Sequence, residues 1–144
     1  MESQRKPGQG EPLRIGILAL RGDWDFGLKG VIARVLAPLE KTDVAILGFA
    51  DVSFCDSTFV SAIVRLRKRM EATGGRAEIR IAAPREAFRK LLAVSNLDTI
   101  FTICDSMAAA MTFAEETVTT YTGEANGDEE IARLEPATGV EMPD

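Results

Sequence analysis

Apolar residues along the chain fall into short blocks whose spacing alternates between two periods. "LRIGILAL" (13–20) has the composition and partial alternation of a strand, and "RGDWD" interrupts it. Leu28, Val31, Ile32, Val35, Leu36 and Leu39 then recur at helical spacing. "VAILGF" (44–49) is an unbroken apolar run of strand length, which predicts burial on both faces of a sheet. Val60, Ile63, Val64 and Met70 mark a second helix, and "TGG" (73–75) stops it. "AEIRIAA" (77–83) alternates as a strand. Pro84 suits the first turn of a helix whose apolar face is Phe88, Leu91 and Leu92. "TIFTI" (99–103) predicts a short strand, with Met107, Met111 and Ala114 on a last helix.

A strand followed by repeated helix–strand units predicts an α/β domain with a mostly parallel sheet of four to five strands and about four helices. Residues 1–12, rich in Pro and Gly, read as a flexible N-terminal segment, and 13–115 as the domain. Residues 116–144 have little apolar periodicity and read as an extended or disordered acidic tail. Its Thr117, Thr119, Thr120 and Thr122 leave open an extension of the sheet.

Charge divides along the same boundary. The chain's net charge is −5, but residues 116–144 hold eight acids and one base, about −7, which leaves residues 1–115 at about +2. A nearly neutral body with an acidic tail does not predict a nucleic-acid binder. No apolar run approaches the roughly 20 residues of a membrane helix, and the polar N-terminus does not read as a secretory signal. Two cysteines without such a signal predict a reducing, cytoplasmic setting.

Histidine is absent, which removes the usual general base and the commonest metal ligand, so no catalytic residue, metal or cofactor is expected. "GDWDFGLKG" (22–30) misses a phosphate-binding glycine loop: its lysine is displaced, no Ser or Thr follows, and Asp23 and Asp25 oppose phosphate. "RLRKR" (65–69) reads first as a solvated helix face, with steering of an acidic partner as the alternative. Cys55 and Cys104 end two strands, and one intervening strand would hold them about 9.5 Å apart. That is beyond disulfide reach, so both read as inert thiols.

Two copies of Cys-Asp-Ser remain, in "SFCDSTFVSAIV" (53–64) and "ICDSMAAAM" (103–111), each at the strand-to-helix edge where α/β sheets bind their ligands. An Asp or Ser there caps a helix and contributes around 1 kcal/mol. Capping suffices for Asp105-Ser106. In the first copy a second hydroxyl, Thr58, follows Asp56 and Ser57, and one residue is enough for a cap. There capping and phosphoacceptor readings both stand.

The phrase "DVSFCDSTF" resembles the landmark of the STAS family, typified by bacterial anti-sigma factor antagonists, in which V-x-F-x-D-S-S/T-G opens a helix. Val52, Phe54, Asp56, Ser57 and Thr58 match. "RGDWD" is similar to the family's G-E-L-D corner, with Asp25 as its acid. "TGGRAEIRIAAPREAFRKLLAVSNLDTIF" is similar to its G-G-strand-Pro-helix-S-G-L segment. The resemblance covers about residues 13–115. It implies the STAS fold and a non-catalytic transcription regulator that binds an anti-sigma factor with serine/threonine kinase activity. That partner phosphorylates Thr58 (Ser57 as the alternative) and so releases itself, and a phosphatase that reverses the modification is a further candidate partner. Asp25, Asp56, Ser57, Thr58 and Phe59 are the implied contact residues. The rival reading is an unphosphorylated STAS scaffold or transporter-associated module. Three positions depart from the pattern: Phe59 replaces a glycine, Thr58 the commoner serine, and Gly48 an acid that many members carry.

Overall fold

The structure, a computed structural model, describes residues 12–114, 117–127 and 135–136. The expected N-terminal segment, apart from Pro12, lies outside them. In chain order the elements are β1 (Leu13–Trp24), α1 (Lys29–Leu36), β2 (Val44–Cys55), α2 (Ser57–Ala72), β3 (Glu78–Ala82), α3 (Glu86–Val94), β4 (Thr102–Cys104), α4 (Met107–Ala110), β5 (Val118–Asn126) and β6 (Glu135–Pro136). They form one sheet in the order β4-β3-β2-β1-β5-β6. Strands β1 to β5 pair in parallel, and β6 runs antiparallel to β5.

The face each helix takes follows from the sheet order and the handedness of crossovers. From β1 through β4 the chain steps across the sheet in one direction. Right-handed connections therefore place α1, α2 and α3 on the same face. The step from β4 back past β1 to β5 runs the other way, so the same handedness puts α4 on the opposite face.

Alternation along the strands serves both faces. Ala45, Leu47 and Phe49 join Leu18 and Leu20 beneath α1–α3, with Ile32, Val35, Ile63, Leu66, Met70 and Leu92 packed above them. Val44 and Ile46 face the other way with Leu13, Ile15, Ile17 and Val118, under Ala110, Met107 and Phe113. The continuous run 44–49 is thus buried on both faces, as its composition predicts.

The segment over the second face is held by Arg80 of β3. Its Nη1 donates to the carbonyls of Ala110 (2.7 Å) and Thr112 (3.0 Å), and its guanidinium lies 4.2 Å from the centre of the Phe113 ring. Met107 fills the space above Gly48, where an added Cβ would lie 2.7 Å from the methionine methyl. An acidic side chain at 48 would expel Met107, so this departure from the pattern is a packing choice.

Three expectations are corrected. Residues 118–126 are not a disordered tail: they pair with β1 from Leu13↔Val118 to Arg21↔Asn126, so the sheet has six strands and its ordered part runs past 115. Only Ala125 of β5 is buried, which is why hydrophobic periodicity did not reveal the strand. "RGDW" does not break β1 either, because the strand continues to Trp24. The last helix is shorter than its spacing suggests, a single turn from Met107 to Ala110.

Candidate functional site

β1 and β2 overrun the rest of the sheet. β3 pairs with β2 only as far as Gly48↔Ala82, whereas β1 and β2 stay paired to Trp24↔Cys55. The overrun carries two irregularities, one between Ala19 and Arg21 and one between Gly22 and Asp23, each leaving an unmatched residue on β2. Such bulges increase twist and re-aim the strand ends. They carry two corners out to one tip: Trp24–Asp25 after β1 and Cys55–Asp56 after β2. The backbone joins them there, with the Asp56 amide donating to the Trp24 carbonyl at 3.3 Å.

At the first corner, Asp25 is exposed and organises the turn into α1. Its Oδ1 accepts from the Gly27 amide (3.0 Å) and its carbonyl from the Leu28 amide (2.9 Å). At the second, Asp56 is the N-cap of α2, with Oδ1 accepting from the Thr58 amide at 2.9 Å. Asp56 makes this cap itself, which leaves the hydroxyls of Ser57 and Thr58 outside it. Ser57 is exposed and Thr58 partly buried.

The second Cys-Asp-Ser copy divides the labour differently. There Ser106 is the N-cap, its Oγ accepting from the Ala109 amide at 3.0 Å, and Asp105 pairs with Arg89 at 3.0 Å. Its hydroxyl is committed to capping, as the sequence suggests. The same tripeptide therefore caps through serine at one corner and through aspartate at the other.

Phe59 is not where the resemblance puts it. As the third residue of α2 it turns into the core and is fully buried. Its ring meets Trp24 edge-on at 5.5 Å and Phe49 at 5.6 Å, and Phe49 stacks on Phe88 at 4.8 Å. The indole of Trp24, also buried, donates to the Arg21 carbonyl at 3.0 Å. The expected role of Phe59 as a partner contact is therefore corrected: it is a core residue. Asp25, Asp56, Ser57 and Thr58 are brought together at the surface, and Phe59 supports them from below.

Electrostatically the tip is acidic. Asp23, Asp25 and Asp51 are exposed on it beside the partly buried Asp56. Sequence reasoning did not single out Asp51 or Phe54 as surface features. Phe54 is 53% exposed, the one aromatic among the exposed large apolar side chains of the described residues. It pairs in register with the exposed Asp23 and lies beyond Gly48, where Met107 covers that face of the sheet.

The thiols are remote from each other. Ala82 registers with both Gly48 and Cys104, so Cys104 lies level with Gly48 while Cys55 is seven residues further along β2. The separation is about 20 Å along the strand as well as two strand spacings across. Burial, with a smaller contribution from Asp56, pushes the Cys55 thiol up to about 12, and burial raises that of Cys104. Both are free. On α2, Arg67 pairs with Glu71 at 2.9 Å and Arg69 with Glu40 at 3.4 Å, so two of the four cations of "RLRKR" are occupied locally.

Among the described residues no helix is long and apolar enough to cross a membrane, and no three His, Cys, Asp or Glu side chains are grouped to hold a metal ion. No curated protein sequence matches the chain. Solved structures resemble it in fold. One is a Thermotoga maritima protein assigned as an anti-sigma factor antagonist (23% identity, TM-score 0.52, covering 63% of this chain and 79% of the other). Another is the STAS domain of a Vibrio cholerae SulP transporter (17%, 0.52, 71% and 81%). A third is a sulfate transporter family protein from Wolinella succinogenes (19%, 0.55, 77% and 89%). The model of the STAS domain family matches residues 10–110, taking in every element from β1 to α4 and the Asp56-capped corner. The chain belongs to the STAS domain family.

Proposed function

We propose that this protein is an anti-sigma factor antagonist, a cytoplasmic partner-switching regulator whose docking to an anti-sigma kinase is gated by phosphorylation of Thr58. The observation that supports this most is the division of roles at the start of α2. Asp56 alone makes the cap, which leaves the hydroxyls of the exposed Ser57 and the partly buried Thr58 outside it in the helix's first turn. A phosphate there meets the positive end of the helix dipole, an interaction typically worth about 0.3–1 kcal/mol, so modification does not threaten the fold.

Binding is affected differently. The modification brings roughly −1.5 to −2 charges and three oxygens to a tip already carrying Asp23, Asp25, Asp51 and Asp56. A hundredfold loss of affinity needs only about 2.8 kcal/mol, within reach of steric filling and desolvation at a packed contact. In this reading the chain binds and is modified, and the kinase supplies the nucleotide and the general base.

The test is incubation with candidate anti-sigma kinases and ATP, followed by phosphosite mapping. Phosphate is expected on Thr58, and Thr58→Ala should abolish it. Thr58→Glu should weaken the complex by tenfold or more. Undiminished modification of Thr58→Ala would move the acceptor to Ser57 or elsewhere.

A second reading is favoured by one observation: the fold is as similar to transporter STAS domains as to the antagonist. In it the chain is a constitutive scaffold or transporter-associated module. Equal partner affinity for Thr58→Ala and Thr58→Glu would select it.

A further inference from the structure

At the end of the sheet away from the hydroxyl corner, about 30 Å back along β1, an open pocket lies between the strands and the turn that joins α1 to β2. Arg14 and Tyr121 line it from β1 and β5, and Pro38, Lys41 and Thr42 from the turn. Tyr121 pairs in register with Gly16, which has no side chain to fill the sheet face beside the ring. The turn is fixed at its end by Thr42, whose hydroxyl donates to the Leu39 carbonyl at 2.7 Å. The pocket has room for about 280 Å³. A dry cavity of about 150 Å³ holds benzene, and sites for drug-sized molecules or cofactors begin near roughly 300 Å³. The volume therefore suits one ring with a polar group attached.

Charge decides the polar group. Among the described residues no acid lines the pocket. The Arg14 guanidinium lies 3.4 Å from the buried Asp43 carboxylate, yet its side chain is still 47% exposed. Lys41 is exposed and among the described residues enters no ion pair. Its neighbour in sequence, Glu40, is paired with Arg69 at 3.4 Å. One positive charge is thus left over at the rim. Arg14, Lys41 and the Tyr121 hydroxyl can all donate hydrogen bonds, whereas the Thr42 proton is committed to Leu39. Hydrogen bonds from charged donors to an anion are roughly twice as strong as neutral ones, so this set selects an oxyanion. The rings of Pro38 and Tyr121 supply apolar surface for the rest of the ligand. The geometry points to a binding site for a small aryl oxyanion, a single ring bearing a carboxylate or phosphate, with the anion held by Lys41 and Arg14 and the ring against Pro38 and Tyr121. The site shares no residue with the Asp56 corner and goes beyond the function proposed for it.

The experiment titrates the full chain, isotopically labelled, with phenyl phosphate, benzoate, benzyl alcohol and inorganic phosphate at physiological ionic strength. Phenyl phosphate, benzoate or both should saturably shift the backbone amides of residues 14, 16, 41, 42 and 121, in the low millimolar range typical of so small a ligand. Benzyl alcohol offers the ring without the charge, and inorganic phosphate the charge without the ring. Each should bind roughly tenfold more weakly or worse. Lys41→Glu should weaken aryl-anion binding by roughly tenfold or more, and Lys41→Arg should retain it. Lys41 is exposed, so both replacements should leave the spectrum elsewhere unchanged. Absence of saturable shifts with both aryl anions, shifts confined to other surfaces, or unchanged affinity in Lys41→Glu would overturn the proposal. Equal affinity for benzyl alcohol would also overturn it, and so would equal affinity for inorganic phosphate, which would leave an adventitious ion only. No kinase takes part, so failure to phosphorylate Thr58 would count against the proposed function alone.

Discussion

Phe59 occupies a position where the motif it resembles has glycine, and its ring is the centre of an aromatic cluster rather than an obstacle on the surface. Restoring the family's glycine should therefore harm this protein. Phe59→Gly removes a fully buried ring in contact with Trp24 and Phe49. Large-to-small changes of that kind cost about 3–5 kcal/mol, and glycine in a helix adds up to about 1. Urea denaturation should show a loss of this size, with Phe59→Leu losing much less. Thr58 and Phe59 are neighbours with different duties, Phe59 fully buried and Thr58 only partly, because adjacent helix residues point about 100° apart.

Among the elements, β1 and its connections depend on Asp43, which is buried just before β2. Its carboxylate accepts from the Arg14 amide at 2.9 Å and lies 3.4 Å from the Arg14 guanidinium. Burial alone would raise its pKa. Hydrogen bonds from Arg14, the guanidinium charge and the Arg76 amide outweigh that, and the carboxyl is held below its ordinary value. A group whose folded-state pKa is lowered stabilises the protein above its unfolded pKa, near 3.9 for Asp. That contribution is lost as pH falls from there through the folded value. Stability measured by denaturant titration should therefore fall through this acid window. Asp43→Asn should be less stable at pH 7 and show a shallower acid decline. A steeper decline in the variant would contradict the assignment.

For the whole molecule, β5 decides whether the sheet has a usable edge. Without it, β1 would present unpaired backbone groups along most of its length, a template for association. Gly127 closes the strand against the tip: its amide donates to the Arg21 carbonyl at 2.9 Å, and an added Cβ would overlap the Asp23 carbonyl oxygen. Truncation after residue 116 should lower the unfolding midpoint and promote concentration-dependent association, measurable by light scattering. A monomeric truncated chain of unchanged stability would show β5 to be dispensable. The acidic corner and the C-terminal strand thus meet at Asp23.

The sequence by itself determined the helix–strand alternation, the two-sided burial of 44–49, the helix stop at "TGG" and the capped corner at Asp56, because each rests on local periodicity or backbone hydrogen bonding. That Asp25 and Thr58 stand at strand-to-helix corners was legible through short phrases whose backbone chemistry is local. Only the tertiary structure decided the rest. β5 is a polar strand whose pairing partner lies about a hundred residues earlier, so no local pattern announces it. The inward turn of Phe59 depends on Trp24 and Phe49 arriving from two other elements. Phe54 keeps the facing of Val44 and Ile46 but lies beyond Gly48, where Met107 covers that face, and only the tertiary fold sets where the cover ends.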